Sequence, residues 1–174
     1  AKADVEHITF VVRECGEEKF AWKIANAIVD SRDASPLTRT SQLAALIAAT
    51  VPKSFKEKKH PATRSFQAIR IYINSELEQV KTALDAALLA LKPGGRLAVI
   101  SFHSLEDRLI KQFIQKESTL AEDHGWGMPQ AQVDTRRLKK VSRIRASEAE
   151  VKGNPRSRSA WLRVAERLEQ KGKA

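Results

Sequence analysis

The sequence predicts an α/β fold in which helices come first and strands follow. Two observations carry this prediction. Apolar residues recur every three or four positions through most of the first half of the chain, as they do along one side of a helix. The run Leu97 to Ile100 is apolar without interruption and follows a Pro-Gly-Gly turn. Such a run is typical of a strand that is buried on both faces of a parallel sheet.

Three helices are predicted before residue 60. A short one follows Asp4, an amphipathic one starts near Glu17, and a third lies between the breaks at Pro36 and Pro52. The next residues are basic and too polar for a core, so we expect a domain boundary near residue 60. The predicted domains are therefore a helical one over 1–60 and a second one over 61–174.

The second domain is predicted to alternate helices and strands. Its apolar stripe continues to Leu91 as one long helix or two abutting ones, and Pro93 and Gly94 end it, because proline cannot continue the helical ladder. An exposed loop that contains Trp126 is expected at 117–132. The remaining predicted elements are a strand over 96–102, a helix from about 105 to 116, strands over 138–144 and 160–168, and a helical turn at 147–151.

Charge is concentrated at the end of the chain. The net charge is +10, and from Arg136 onward 13 Lys or Arg face four acidic residues. Such a field favours polyanions, so RNA, DNA or an anionic membrane are candidate partners, and a merely solvated basic surface is the alternative. No apolar run has the length of a membrane span, and the first residues lack a signal-peptide pattern. Cys15 is the single cysteine, so we expect a cytoplasmic protein with no membrane partner and no metal site.

The loop between the predicted strand and the next helix is rich in reactive side chains. Residues 101–108, SFHSLEDR, combine two hydroxyls, an imidazole, two carboxylates and a guanidinium. Ser104 and Asp107 are spaced like a capping box, which predicts that this serine caps the helix. Capping leaves Ser101, His103 and Arg108 unexplained. In open α/β sheets ligands bind beyond the carboxyl ends of the strands, which is where this loop lies.

Two further clusters could contact phosphate. Arg156 and Arg158 stand among small polar residues in NPRSRS at 154–159, and Arg64 ends the stretch HPATR. Arginine can bind phosphate oxygens through two parallel hydrogen bonds, although a lone arginine is usually only solvated. A glycine-rich cofactor loop, a P-loop and a metal-binding helix are all missing. If the chain belongs to a cofactor-dependent enzyme, the cofactor half is expected to lie elsewhere.

Three long motifs resemble one known family. They are HPATRSFQAIRIYINSELE at 60–78, PGGRLAVISFHSLEDR at 93–108 and NPRSRS at 154–159. They are similar to the signatures of the bacterial small-subunit rRNA (cytosine-N4)-methyltransferases, the RsmH or MraW family. GEEKFA at 16–21 and LTRT at 37–40 also look like its helical region, so the resemblance covers nearly the whole chain.

The resemblance implies the C-terminal part of a Rossmann-like class I methyltransferase domain, preceded by a mostly α-helical inserted domain. It implies S-adenosyl-L-methionine as cofactor and a cytidine in the decoding region of 16S rRNA, within the small ribosomal subunit, as substrate. The family's N-terminal half with its glycine-rich loop has no counterpart here. We therefore expect no cofactor-binding residue in this chain, no cofactor binding by the isolated chain, and a catalytically incomplete fragment.

The resemblance also suggests roles for individual residues. An exocyclic cytosine amine is a poor nucleophile, because its lone pair is delocalised into the ring, so an enzyme must orient it and accept its N–H bonds. Ser101 and His103 are the candidate catalytic acceptors, and Phe102 is the candidate to stack on or wall the base. The candidate contacts to the RNA backbone are Arg64, Arg108, Asn154, Arg156 and Arg158.

Two other functions remain open from the sequence. The chain could be a non-catalytic basic RNA-binding module, which would use phosphate contacts without chemistry. A relative of DNA-directed amino-methyltransferases is less favoured, because residues 101–104 lack the Pro-Pro-aromatic turn expected there.

Overall fold

The computed structural model describes residues 2–52, 59–120 and 134–169. The basic segment 53–58 and the predicted loop around Trp126 lie outside them. The chain divides into two compact units, Ala1–Glu76 and Leu77–Ala174. The elements in chain order are α1 Val5–Glu14, α2 Ala21–Ala34, α3 Thr40–Thr50, α4 Thr63–Ile73, α5 Glu76–Ala90, β1 Arg96–Ser101, α6 Ser104–Glu117, β2 Leu138–Arg145, α7 Glu148–Gly153, a 3-10 helix Pro155–Ser159, and β3 Trp161–Arg167.

These elements confirm the predicted helices, the two later strands and the helical turn between them. None of the helices in the described ranges combines the length and the apolar character that crossing a membrane requires. The predicted domain boundary near residue 60 concerns the organisation of a whole enzyme and stays a prediction, since the compact units describe only how this chain packs.

The first unit is a helical cluster with its own core. Asp4 caps α1, its carboxylate accepting from the His7 N–H at 2.7 Å. Gly16 follows α1 where a Cβ would lie 2.6 Å from the Val12 carbonyl oxygen and 2.8 Å from that of Arg64, so only glycine fits there. The fully enclosed apolar side chains of this core are Val12, Ala21, Ile24, Ile47 and Ala62.

The long apolar stripe after residue 60 forms two helices rather than one. Ser75 lies between α4 and α5 with φ 50°, in the left-handed region, which interrupts the helical ladder. Arg70 on α4 binds both carboxylate oxygens of Glu76 at 2.8 and 3.0 Å across this break. Gly94 ends the second stripe with φ 79°, as the Pro-Gly-Gly sequence predicted.

The second unit contains a three-stranded sheet in the order β1-β3-β2. The strand β3 is antiparallel to both neighbours, so β1 and β2 run in the same direction and their carboxyl ends meet at one edge. At that edge Trp161 pairs with Ser101 on one side and with Arg145 on the other. The core beneath the sheet consists of Leu84, Leu88, Leu97, Ile110, Ile114, Leu138 and Ala165.

The expected environment of β1 is wrong in two respects. Within the described residues its paired neighbour is antiparallel, not parallel. Burial also alternates along the strand: Leu97 and Ser101 are buried, whereas Ala98 and Ile100 are exposed. The reason is that α5 and α6 supply core side chains to one face of the sheet only. An apolar run shows that both faces tolerate burial; it does not show that both are covered.

Candidate functional site

The candidate site lies at the shared carboxyl edge of β1 and β2. Residues 101–104 leave β1 there and lead into α6, and the start of β3 and the end of β2 adjoin them through the sheet register. Ligands of α/β proteins commonly bind at such an edge, because loops there present side chains and helix N-termini together.

His103, not Ser104, caps the helix that follows. Its backbone is extended, and its ring Nδ1 accepts from the Glu106 N–H at 3.4 Å. The Glu106 carboxylate in turn accepts from the N–H of Phe102, the residue before the cap, at 2.9 Å, so its side chain folds back over the start of the helix. The predicted capping box of Ser104 and Asp107 is therefore wrong by one residue. Asp107 is engaged elsewhere, and this leaves Glu106 as the carboxylate that folds back.

This cap restricts the chemistry of His103. A neutral imidazole has one acceptor and one donor nitrogen, so the acceptor role of Nδ1 places the proton on Nε2. Nε2 is buried and lies 3.3 Å from Glu106 Oε1, a close approach without the alignment of a hydrogen bond. The neighbouring ring is the main cause that lowers the pKa of Glu106. In this arrangement His103 could accept a proton only by giving up the cap.

Asp107 forms a bidentate ion pair at the site. Its two carboxylate oxygens accept from Nε and Nη2 of Arg163 on β3 at 2.7 and 2.9 Å. Both side chains are largely buried, and Arg163 holds the pKa of Asp107 below its usual range while its own pKa is raised. The buried Ser101 hydroxyl has one proton, and two acceptors lie within reach: Asp107 at 3.4 Å and the Trp161 carbonyl at 3.5 Å. These contacts tie the loop to the sheet.

Phe102 is the exposed member of the loop. Its side chain is 57% exposed, although both of its chain neighbours are held in place. Its backbone N–H is bound by Glu106, so the ring projects from a fixed point of the backbone. An exposed aromatic ring on a well-held loop offers a stacking surface to a base.

An aromatic and basic group extends the site across the sheet. The guanidinium carbon of Arg143 lies 3.6 Å from the centroid of the Trp161 ring, and that of Arg145 lies 5.6 Å from it. Trp161, Arg143, Arg145 and Arg163 were not among the site residues predicted from the sequence, and Asp107 was predicted there only as part of a capping box. Part of the signal was present: Trp161 and Arg163 are two residues apart in the predicted strand 160–168 and so share one face of the sheet, whereas the predicted strand 138–144 includes Arg143 but ends one residue before Arg145.

Two of the predicted RNA contacts lie on helices. Arg64 belongs to the first unit, where its Nη1 donates to the Glu17 carbonyl at 3.3 Å and joins the start of α4 to the turn after α1. Arg108 lies on the first part of α6 and is exposed. The roles of both arginines in RNA binding stay predictions.

The NPRSRS segment forms the 3-10 helix just before β3. Asn154 caps it, its side-chain oxygen accepting from the Arg156 N–H at 3.2 Å. Ser157 is buried and bonds to the Asn154 carbonyl at 2.8 Å. Arg156 and Arg158 are exposed. The segment thus combines a structural core with two outward arginines.

The described glycines do not form a cofactor cradle. Gly16 packs between helices, Gly94 and Gly95 turn the chain before β1, and Gly153 ends α7, so none follows the carboxyl end of a strand. In the same parts of the chain, no three His, Cys, Asp or Glu side chains stand together as metal ligands.

Comparison with known proteins gives a consistent result. Residues 1–168 match the model of the MraW methylase family. "Ribosomal RNA small subunit methyltransferase H" of Acinetobacter baumannii (strain AYE) is 63% identical over 171 residues, which is 98% of this chain and 54% of that protein. The protein of the same name from Acinetobacter baylyi is 64% identical over 163 residues, 94% of this chain and 52% of that protein. The chain thus spans about half the length of the curated relatives it matches.

Proposed function

Because this chain belongs to the MraW methylase family, we propose that the whole protein transfers a methyl group from S-adenosyl-L-methionine to N4 of a cytidine in the decoding region of 16S rRNA. The match over nearly the entire chain to proteins named rRNA small subunit methyltransferase carries this proposal. The proposed organisation is a helical inserted domain over 1–60 and the later part of a Rossmann-like class I domain over 61–174. The proposed partner is the small ribosomal subunit.

The cofactor would supply an electrophilic methyl group on a sulfonium centre. The described residues of this chain do not form a site for this cofactor, because none of their glycines lies in a loop that follows a strand. The contribution proposed for this chain is the substrate side: binding the RNA strand and holding the cytosine in position.

Phe102 is proposed to hold the target base. Its exposed ring stands at the carboxyl edge of β1, and the Glu106 carboxylate fixes its backbone. Stacking of a base on such a ring contributes about 1–3 kcal/mol. Orientation of a weakly nucleophilic amine is a large part of catalysis, so loss of the ring should lower the rate as well as the affinity.

Ser101 and His103 remain proposed acceptors of the amine protons. Their geometry also supports a second role for each, since Ser101 Oγ bonds within the sheet edge and His103 Nδ1 bonds within the cap. A positioning role predicts that substitutions keeping these bonds keep activity. A catalytic role predicts that activity is lost even when the loop is intact.

Nucleoside mass spectrometry of small subunits tests the proposal directly. The full-length protein and S-adenosyl-L-methionine should convert one cytidine of unmethylated 16S rRNA to N4-methylcytidine. Phe102→Ala should lower kcat/KM for subunits by at least about fivefold, as expected for the loss of one stacked base worth about 1–3 kcal/mol. Leu89→Ala is the matched control, because Leu89 is an exposed apolar side chain on α5, and it should leave the reaction unchanged.

Three results would count against the proposal. Methylation at another atom or on another base would exclude N4 chemistry on cytosine. RNA binding without methyl transfer by the full-length protein would favour a non-catalytic module. Equal activity of Phe102→Ala and wild type would remove the proposed base contact.

A further inference from the structure

We propose that Trp161, Arg143 and Arg145 form a binding site for the RNA strand next to the target cytidine, the arginines contacting its phosphates and the indole holding them in place. We call these three residues the Trp161 cluster. The inference rests on the proposed function and names the surface that the substrate would use.

The side chains of the Trp161 cluster already contact one another without a ligand. At 3.6 Å from the ring centroid, the guanidinium of Arg143 is stacked on the indole of Trp161. Trp161 is itself half-buried, and β3 pairs with a strand on each side, so the ring has a firm base. Arginine loses considerable side-chain entropy on binding, and a stacked guanidinium has lost part of it already. Stacking occupies the face of the guanidinium and leaves its in-plane N–H groups to meet phosphate oxygens.

The charge of the surroundings favours an anion. Between Lys139 and Arg163 the chain carries eight basic side chains and two acidic ones. Arg143 and Arg145 are exposed, and within the described residues no acidic side chain forms an ion pair with either. Arg143 is one of the charges that lower the pKa of Asp107, and both oxygens of that carboxylate are already bound by Arg163.

The register of the sheet brings the cluster close to the proposed base contact. Trp161 pairs with Ser101, the residue before Phe102, and Arg145 pairs with Trp161 from the other side. Neighbouring strands are about 4.8 Å apart, so the end of β2 lies about 10 Å from the end of β1. A strand whose target base stacks on Phe102 can therefore place its flanking phosphates on the cluster. An acidic protein could also bind the arginines, but its binding would not use the exposed ring of Phe102 beside them.

The test compares two double variants of the full-length protein for affinity to a synthetic single-stranded RNA that spans the target cytidine. Arg143→Gln/Arg145→Gln should weaken binding about tenfold and reduce the slope of log K against log salt by about 1.4, since each lost phosphate contact on a single strand accounts for about 0.7. Lys92→Gln/Lys116→Gln is the control. It removes the same charge from exposed residues before β1 and in the last turn of α6.

Trp161→Leu adds a test without a change of charge. It should weaken binding by several-fold and leave most of the salt slope, because the arginines remain but lose their support. The cluster proposal is overturned if the arginine variant matches the control in both affinity and slope. It is also overturned if affinity falls for assembled subunits and not for the protein-free RNA, since a ribosomal protein would then be the partner. Failure of the wild type to methylate subunits would refute the proposed function. The comparison of RNA affinities would still test the Trp161 cluster, because it does not depend on methyl transfer.

Discussion

Asp107 and Arg163 join the first turn of α6 to the central strand β3 by two parallel hydrogen bonds, although 56 residues separate them in the sequence. The pair lies beneath the loop that carries Ser101 and Phe102, and the Ser101 hydroxyl reaches the same carboxylate. The conformation of this loop therefore depends on an ion pair outside its own sequence.

Asp107→Asn should destabilise the fold by roughly 2–3 kcal/mol, between the values typical of exposed and of buried ion pairs, because Arg163 keeps a largely buried charge without its partner. Urea unfolding measures this. Glu166→Gln is the control, since Glu166 pairs with the exposed Arg96 at 3.8 Å and its loss should cost less than about 1 kcal/mol. Equal losses in the two variants would show that the Asp107 pair is not specially stabilising.

Acid should weaken the second unit through the same carboxylates. The pKa values of Glu106 and Asp107 are lowered in the folded protein, by His103 and Arg163 respectively, so each stabilises the fold when ionised. This contribution is complete above the ordinary carboxyl pKa of about 4 and is lost as pH falls through the lower folded values. Unfolding measured from pH 6 to pH 3 should show it. Asp107→Asn should have a flatter pH profile than wild type; parallel profiles would contradict the assignment.

His103 can be tested as a cap independently of its proposed chemistry. His103→Ala should lower the free energy of unfolding by about 1 kcal/mol, and His103→Asn should restore much of it, because asparagine is a favourable N-cap residue. Methylation by His103→Asn then separates the roles. Activity near wild type would indicate a positioning residue. A stable but inactive variant would support proton acceptance by the imidazole, and its kcat should fall while KM is unchanged.

Gly16→Ala should destabilise the first unit by about 1–3 kcal/mol, as overpacking against fixed atoms does. The new Cβ would lie 2.6 and 2.8 Å from two backbone oxygens, which cannot move aside as a flexible side chain could. Gly153→Ala provides the control, since nothing lies within 4 Å of a Cβ there. Thermal unfolding of the two variants should differ clearly; similar midpoints would mean that α1 and α4 separate at little cost.

Local features of the sequence predicted the elements well, because spacing and turn chemistry act over a few residues. The helices follow from apolar periodicity, and Gly94 ends the stripe before β1 as its turn sequence required. What failed depended on distant partners. The apolar residues of β1 do not indicate that its neighbour β3 runs antiparallel to it. The spacing of Ser104 and Asp107 likewise does not show that the Asp107 carboxylate binds Arg163.

The same limit applies to the candidate site. Its loop was recognisable because reactive side chains cluster at 101–108, and Phe102 is exposed there. The stacking of Arg143 on Trp161 joins residues of two strands, and neither segment alone is unusual. A bulge between Lys140 and Ser142 shifts the alternation of β2, so a strict period of two from the buried Leu138 would have placed Arg143 on the opposite face of the sheet. Their contact still depends on the pairing register, which the sequence leaves open.

The position of β3 has a consequence for synthesis of the protein. The strand is the last of the described ones to leave the ribosome, yet it lies between the other two. Until it emerges, Leu97 and Leu138 on the flanking strands lack the central Ala165 that completes their core. Assembly of the sheet must therefore wait for residues 161–167, and a nascent chain stalled before them would present two unpaired strand edges to chaperones or to other chains.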